Sequence, residues 1–267
     1  MVPKALYNRV ITACHTYAHM GHEKTCLMVT RKYSFKEGDI GELARPIVRA
    51  CKTCQTCKPR TGKVPGDEET SYPIPEDIFS SLALDFVELP KDGAFDNALV
   101  VVCRLTGYVF AVPCSRKITS KQAAKLFLER VVVFTGLPKE ILTDNASVLC
   151  SSFMRSLLDL SGVEQHRSVV YRHKSNGRAE QAVRAVTDSL RCFLDQTSEA
   201  ASSSNAGWVN ALPLAIWTLN DTPGVIAPYS PHRIVFGRDP LGFGDCPPIG
   251  PTTGSDDALD WFQSLAA

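Results

Sequence analysis

The sequence predicts an α/β domain preceded by a small helical module that binds a metal ion. Three observations carry this expectation. Strand-like and helix-like segments alternate between residues 78 and 222. Ahead of them stand His15-x₃-His19, then 31 residues, then Cys51-x₂-Cys54, a metal-ligand spacing. Three acids, Asp85, Asp144 and Glu180, fall inside or at the ends of the later segments, with 35 residues between the last two.

The elements follow in order. Residues 1–60 read as helical and rich in Cys and His. Residues 61–77 hold Gly, Pro and charge with little periodicity, and read as a linker. Three strands are expected in succession, Leu82–Leu89, Ala98–Val102 and Val109–Pro113, with Thr106-Gly107 turning between the last two. An amphipathic helix should run from about Ser120 to Thr135, with Ala123, Ala124, Phe127, Leu128 and Val131 on one side, and Gly136-Leu-Pro138 should stop it. A short buried strand, Glu140–Thr143, ends at Asp144. A helix around Ser151–Leu160 and a strand near Glu164–Arg167 come next.

The following helix begins at Ser175 or Asn176 and carries an apolar stripe of Ala179, Val183, Val186, Leu190 and Phe193 or Leu194. Glu180, Arg184 and Arg191 fall off that stripe. Residues 198–207 read as a loop, and Trp208–Asn220 as a further helix. Residues 223–267 are Pro/Gly-rich and acidic with weak periodicity, a C-terminal extension.

At 267 residues, 44% hydrophobic and 21% charged, the composition is that of an ordinary folded domain or two. No apolar run reaches the roughly 18–20 residues that span a bilayer, and the first residues hold no signal-peptide stretch. A cytosolic or nuclear compartment is therefore expected, where ten cysteines serve as thiols and metal ligands rather than disulfides. The net charge of +1 hides an asymmetry. Residues 1–66 hold 12 Lys/Arg against 4 Asp/Glu, while residues from Asp239 onward hold 5 acids and no Lys or Arg. A basic front module suits a polyanion, although charge on a surface often only keeps a domain soluble.

The chemistry sits in two clusters. Two His with three residues between them should project from one face of a helix, and a Cys-x₂-Cys pair forms a thiolate pincer. Such a set matches tetrahedral Zn²⁺ with every position filled, hence a structural ion. His22 and Cys57 leave other pairings open, His19 with His22 and Cys54 with Cys57. A mid-strand Asp85, a strand-exit Asp144 and a helical Glu180 can converge to hold two divalent cations, as phosphodiester chemistry requires. Taken singly, Asp144 is an ordinary turn residue and Glu180 an ordinary helix-face acid that can pair with Arg184. An unpaired carboxylate within a buried strand such as that of Asp85 is costly, so a cation or partner is expected there.

These residues resemble a known family. Cys14-His-Thr-Tyr-Ala-His-Met-Gly-His-Glu-Lys-Thr25, Arg31-Lys-Tyr33 and Cys51-Lys-Thr-Cys-Gln55 resemble the HHCC zinc-binding domain of integrases from retroviruses and LTR retrotransposons of the Ty3/gypsy kind. In that resemblance Gly21, Lys24 and Thr25 follow the second ligand His, which selects His19, and Gln55 follows the second ligand Cys, which selects Cys54. Tyr171-Arg-His-Lys-Ser-Asn-Gly-Arg-Ala-Glu180 is similar to the segment leading into the catalytic Glu of these enzymes. Ser230-Pro-His-Arg-Ile-Val-Phe-Gly-Arg238 resembles the stretch that closes their core. Gln181 departs from the pattern, standing where a basic residue often follows the Glu.

The resemblance implies an RNase H-like catalytic core, a central mixed five-stranded sheet flanked by helices, behind the helical zinc-binding domain. It implies a DDE-type polynucleotidyl transferase that performs 3′-end processing and strand transfer into target DNA in the nucleus. Asp85, Asp144 and Glu180 would hold two Mg²⁺ or Mn²⁺ ions, and His15, His19, Cys51 and Cys54 one structural Zn²⁺. DNA is the implied partner, bound by a homo-oligomer, with no membrane involved. Lys174, Arg178 and Arg184 surround Glu180 in sequence and are candidates for phosphate contacts. The family's basic C-terminal barrel or chromodomain is not expected after the core. Two rival readings remain open at this point, an inactive DNA- or protein-binding module and a generic RNase H-like nuclease. The second leaves the zinc module without a role.

Overall fold

The computed structural model describes residues 1–36, 38–58, 74–143, 162, 164–167 (backbone), 184–192, 207–223 and 228–241. The front module is four helices, α1 (Tyr7–Thr16), α2 (His22–Lys32), α3 (Ile40–Ala50) and α4 (Lys52–Cys57). Its core is small: Ile11, Cys14, Met20, Met28, Val29 and Ala44 are buried together. So few apolar side chains bury little surface, and a module of this size needs a further staple. Asp39 caps α3 by accepting from the Gly41 N–H at 2.7 Å. Tyr7 stacks on Phe35 with ring centroids 4.1 Å apart, which pins the start of the chain to the end of α2.

The core is a five-stranded mixed sheet in the order β3-β2-β1-β4-β5. Strands β1 (Ser81–Asp92), β2 (Phe95–Cys103) and β3 (Val109–Cys114) form an antiparallel meander. Strands β4 (Glu140–Thr143) and β5 (Glu164–Arg167) add to the other edge in parallel. Gly93 and Gly107, at φ +59° and +75°, supply the left-handed residues that the two hairpin turns require. β2 lies inside the sheet and is buried on both faces from Asn97 to Cys103, which explains its unbroken apolar run.

Alternation along the strands sorts side chains into two layers. Leu82, Leu84, Leu99, Val101 and Cys103 pack with Ala123, Ala124 and Phe127 of α5 (Ser120–Phe127). On the opposite face Val87, Leu89, Ala98, Val100 and Val102 pack with Val186 and Leu190 of α6 (residues 184–192). Trp208, Leu212 and Ala215 of α7 (Trp208–Asp221) complete that layer. Helices on both faces of a mixed sheet are the arrangement expected of the core. Arg104, 8% exposed, ties the strand ends by donating to Ser81 Oγ at 3.0 Å and Glu140 Oε1 at 2.8 Å.

Two local details differ from expectation. The helix starting at Ser120 has a capping box of Thr119 and Gln122, as its sequence allows, but it is not α-helical throughout. A π turn covers Leu128–Val132 before the last helical residues, Val133–Thr135. One extra residue per turn shifts the buried stripe, so Val131 stays inside while Val133 and Phe134 face solvent. The weakly periodic C-terminal stretch also contains a short helix, α8 (Pro231–Phe236). Ser230 caps it, Pro231 opens it and Gly237 closes it at φ +74°. No helix among the described residues is long and apolar enough to cross a membrane.

Candidate metal centre and carboxylate site

His15 sits in the last turn of α1, and that helix ends one residue later at Thr16. His19 lies beyond it, at φ +46°, in a left-handed turn. The two rings therefore do not share a helix face, contrary to the simple reading of their spacing. The turn reverses the chain and aims a different ring nitrogen of each His at the cysteines. His15 Nε2 lies 3.4 Å from Cys54 Sγ, and His19 Nδ1 lies 3.4 Å from both Cys51 Sγ and Cys54 Sγ. The four ligand atoms all fall within 4.8 Å of one another. A tetrahedron with Zn–N and Zn–S bonds of about 2.0–2.3 Å has ligand separations of about 3.3–3.8 Å. The donor set and its spacing fit Zn²⁺.

The surrounding contacts prepare these ligands. His15 Nδ1 is 3.0 Å from the Met20 carbonyl. An N–H donated there leaves Nε2 with its lone pair for a metal. Burial lowers the pKa of His15, which favours the same neutral ring. Thr25, fully buried, donates its hydroxyl to the Met20 and Gly21 carbonyls at 3.2 and 3.1 Å and so holds the loop that carries His19. Gln55 donates to the Arg49 carbonyl at 2.6 Å and orders the approach to the cysteines. Burial pushes the Cys54 thiol up to about 12, with Lys58 opposing and Cys51 adding to it. A cation must therefore displace a tightly held proton there. His22 and Cys57 stand outside the cluster. His22 starts α2, and Cys57 Sγ lies 3.7 Å from the Arg191 carbonyl on the core.

Tyr17, between the two ligand histidines, joins the metal centre to the core. Its hydroxyl donates to Asp221 Oδ2 at 3.1 Å and accepts from Trp217 Nε1 at 2.8 Å. Arg31 donates to the other Asp221 oxygen at 2.7 Å and to the Asp221 carbonyl at 2.9 Å. It also lies 3.6 Å from Asp239. Asp221 is 2% exposed, and burial together with that carboxylate raises the pKa of Tyr17. This clasp had no sequence signal, because its partners lie some 200 positions apart. Arg31→Met should lower the unfolding free energy by about 3–5 kcal/mol, because it strands a buried carboxylate. Urea denaturation followed by tryptophan fluorescence measures it. A loss below about 1 kcal/mol would mean that the pair behaves as a surface ion pair and does not hold the module to the core.

Asp85 occupies the middle of β1, the central strand, opposite Val100 of β2. It is partly buried, and its Oδ1 accepts from the Phe86 N–H at 2.8 Å. Alternation puts it on the face of Ala83 and Val87, the face covered by α6 and α7. The neighbouring residue Leu84 pairs with Thr143, the last residue of β4. Asp144, Glu180, Lys174 and Arg178 lie outside the described residues. Arg184 is exposed at the start of α6, and Val186 and Leu190 of the expected stripe are buried.

The family model for the integrase zinc binding domain matches residues 2–60. The Transposon Tf2-3 and Tf2-4 polyproteins of Schizosaccharomyces pombe are each 29% identical over 225 residues. Those matches take in 83% of this chain and 16% of each polyprotein, so the chain spans about a sixth of the length of these relatives. Among solved structures, a chain of the simian T-cell lymphotropic virus intasome in complex with PP2A regulatory subunit B56 gamma aligns with a TM-score of 0.55. It is 18% identical and covers 92% of this chain and 78% of its own. The catalytic core domain of BIV integrase aligns at 20% identity with a TM-score of 0.45, over 58% of this chain and 93% of its own.

Proposed function

We propose that this chain, a relative of retroviral and LTR-retrotransposon integrases by its zinc-binding domain, its transposon homologues and its fold, is a DDE-type polynucleotidyl transferase acting on DNA. The observation that carries the proposal is Asp85. A carboxylate in the middle of the central strand is costly to desolvate, and a cation bound beside it would offset that cost. It stands beside the strand whose next residue in sequence is Asp144, on the sheet face covered by the helix that follows Glu180 in sequence.

In this reading Asp85, Asp144 and Glu180 hold Mg²⁺ or Mn²⁺, hard ions that suit carboxylate oxygens. Bound there, the ions supply Lewis-acid stabilisation of the charge that develops on the phosphate. Asp85 is carried by the central strand, and its Oδ1 accepts from the Phe86 N–H. The first reaction joins a water oxygen to a phosphorus near the element end and frees a 3′-hydroxyl. The second joins that 3′-hydroxyl oxygen to a target phosphorus and breaks one target P–O bond. No bond to the protein is formed. The site of action is the nucleus, and two DNA ends with one target call for a homo-oligomer.

A labelled duplex with a recessed 3′ end, incubated with the protein and Mn²⁺, tests the activity. Products longer than the substrate are expected. Shortened products alone would indicate a simple nuclease, and no products a binding module. Affinity for DNA should fall steeply with salt, since Lys and Arg of residues 1–60 displace counterions from phosphates. Lys→Gln substitutions in that module should weaken binding and flatten the slope of log K against log salt by about 0.9 for each phosphate left without its lysine. An unchanged slope would put the DNA surface on the core. Substitution is a cleaner test than deletion of the module, which would uncover Asp221.

A further inference from the structure

A cavity of about 410 Å³ opens where the zinc module meets α6 and α7, at the start of α2. Four features there ask for the same ligand. No side-chain hydrogen bond caps α2, an 11-residue helix whose N-cap is Gly21 and whose first turn carries one acid, Glu23, and its first residues line the cavity. Lys24 and Lys58 both line the cavity, and Lys58 Nζ donates one of its three N–H groups to the His19 carbonyl, leaving two. Lys24 makes no hydrogen bond or ion pair with another described residue, and burial, with the Lys58 charge adding to it, lowers its pKa. Across the seam Ser189 is 5% exposed, and its hydroxyl has no hydrogen-bond partner among the described residues.

We propose that this seam is an oxyanion site that binds one phosphate group, with Lys24, Lys58, the α2 N-terminus and the Ser189 hydroxyl as its donors. A phosphate would accept from the Lys24 ammonium, the remaining Lys58 N–H groups, the α2 N-terminal amides and the orphan hydroxyl together. Glu23 and Asp188 line the same cavity, and Asp188 is 3.8 Å from Arg191. They leave the two lysines and two acids in balance, so recognition comes from donors at short range and not from net charge. One tetrahedral anion fits that pattern better than a chain of charges inside the cavity. The phosphate belongs either to a free anion or to one phosphodiester of a DNA strand crossing the seam. The site stands whether or not the core is catalytic.

The test uses the full zinc-loaded chain. Calorimetric titrations with inorganic phosphate and with pyrophosphate, at constant ionic strength, compare wild type, Lys24→Gln, Ser189→Ala and Lys125→Gln, the last an exposed lysine on α5. Zinc content and the unfolding midpoint check the fold of each. Wild type and Lys125→Gln should bind alike, Lys24→Gln about tenfold or more weaker, and Ser189→Ala weaker by a smaller factor. If Lys24→Gln fails to fold, Ser189→Ala decides. A short duplex in a second arm separates the sources. Weaker duplex binding by the variant, with competition by free phosphate, assigns the site to DNA, and unchanged duplex binding assigns it to a free anion. No phosphate binding by wild type, or equal binding by wild type and the folded variants, would overturn the proposal.

Discussion

Removing zinc, or replacing Cys51 and Cys54 by Ser, should unfold residues 1–60 and loosen the core as well. The apolar core of the module is small, and the binding energy of a structural zinc site is of the order of 10–16 kcal/mol, more than such a core supplies. His19 in its left-handed turn and the loop held by Thr25 keep their shape only while the four ligands converge. Tyr17 lies between the ligand histidines, so losing the site also pulls one donor from the buried Asp221. A chelator titration should therefore release one Zn²⁺ per chain, remove helical signal and lower the midpoint of the remaining core transition. Affinity should drop as pH falls, because protons compete for the thiolates. Equal zinc content in wild type and the double Ser variant would exclude these ligands. A core midpoint unchanged by chelation would exclude the coupling through Tyr17.

Much of this structure was legible because local pattern and tertiary environment agree. The strands Leu82–Leu89, Ala98–Val102 and Val109–Pro113 each fall inside an observed strand, and Glu140–Thr143 and Glu164–Arg167 match theirs. In each case the apolar run and its bounding turn residues carry the same message. The zinc ligands were legible because thiol and imidazole at fixed spacing have few other uses. The turn at His19 was not, since a histidine at positive φ carries no local signal and goes with the convergence of His15, His19, Cys51 and Cys54 from separate segments. The π turn at Leu128–Val132 was missed because the apolar positions up to Val131 fit an unbroken α-helix equally well, and the shift shows only at Val133 and Phe134. Helix α8 was missed for a different reason. Its signals, Ser230, Pro231 and Gly237, were present, but the surrounding Pro and Gly masked them. The clasp of Arg31, Tyr17, Trp217 and Asp221 depends on packing alone.

Asp85→Asn should abolish metal-dependent cleavage and joining while leaving the fold intact. The amide keeps the shape of the carboxylate and can keep the contact with the Phe86 N–H, but it loses the charge that would bind a cation in the proposed site. Losing one electrostatic element of such a site costs at least about a hundred- to a thousandfold in rate. If the three acids converge as proposed, the midpoint of unfolding should hold or rise, because removing one of three like charges relieves repulsion. Asp144→Asn and Glu180→Gln should behave the same way. The measurement that tests this account most directly is joining of a 3′-recessed duplex by wild type and Asp85→Asn, side by side, with and without Mn²⁺. The account predicts joined products from wild type only when Mn²⁺ is present, and none from the folded, zinc-loaded variant. Joining by Asp85→Asn at a rate close to wild type would contradict it.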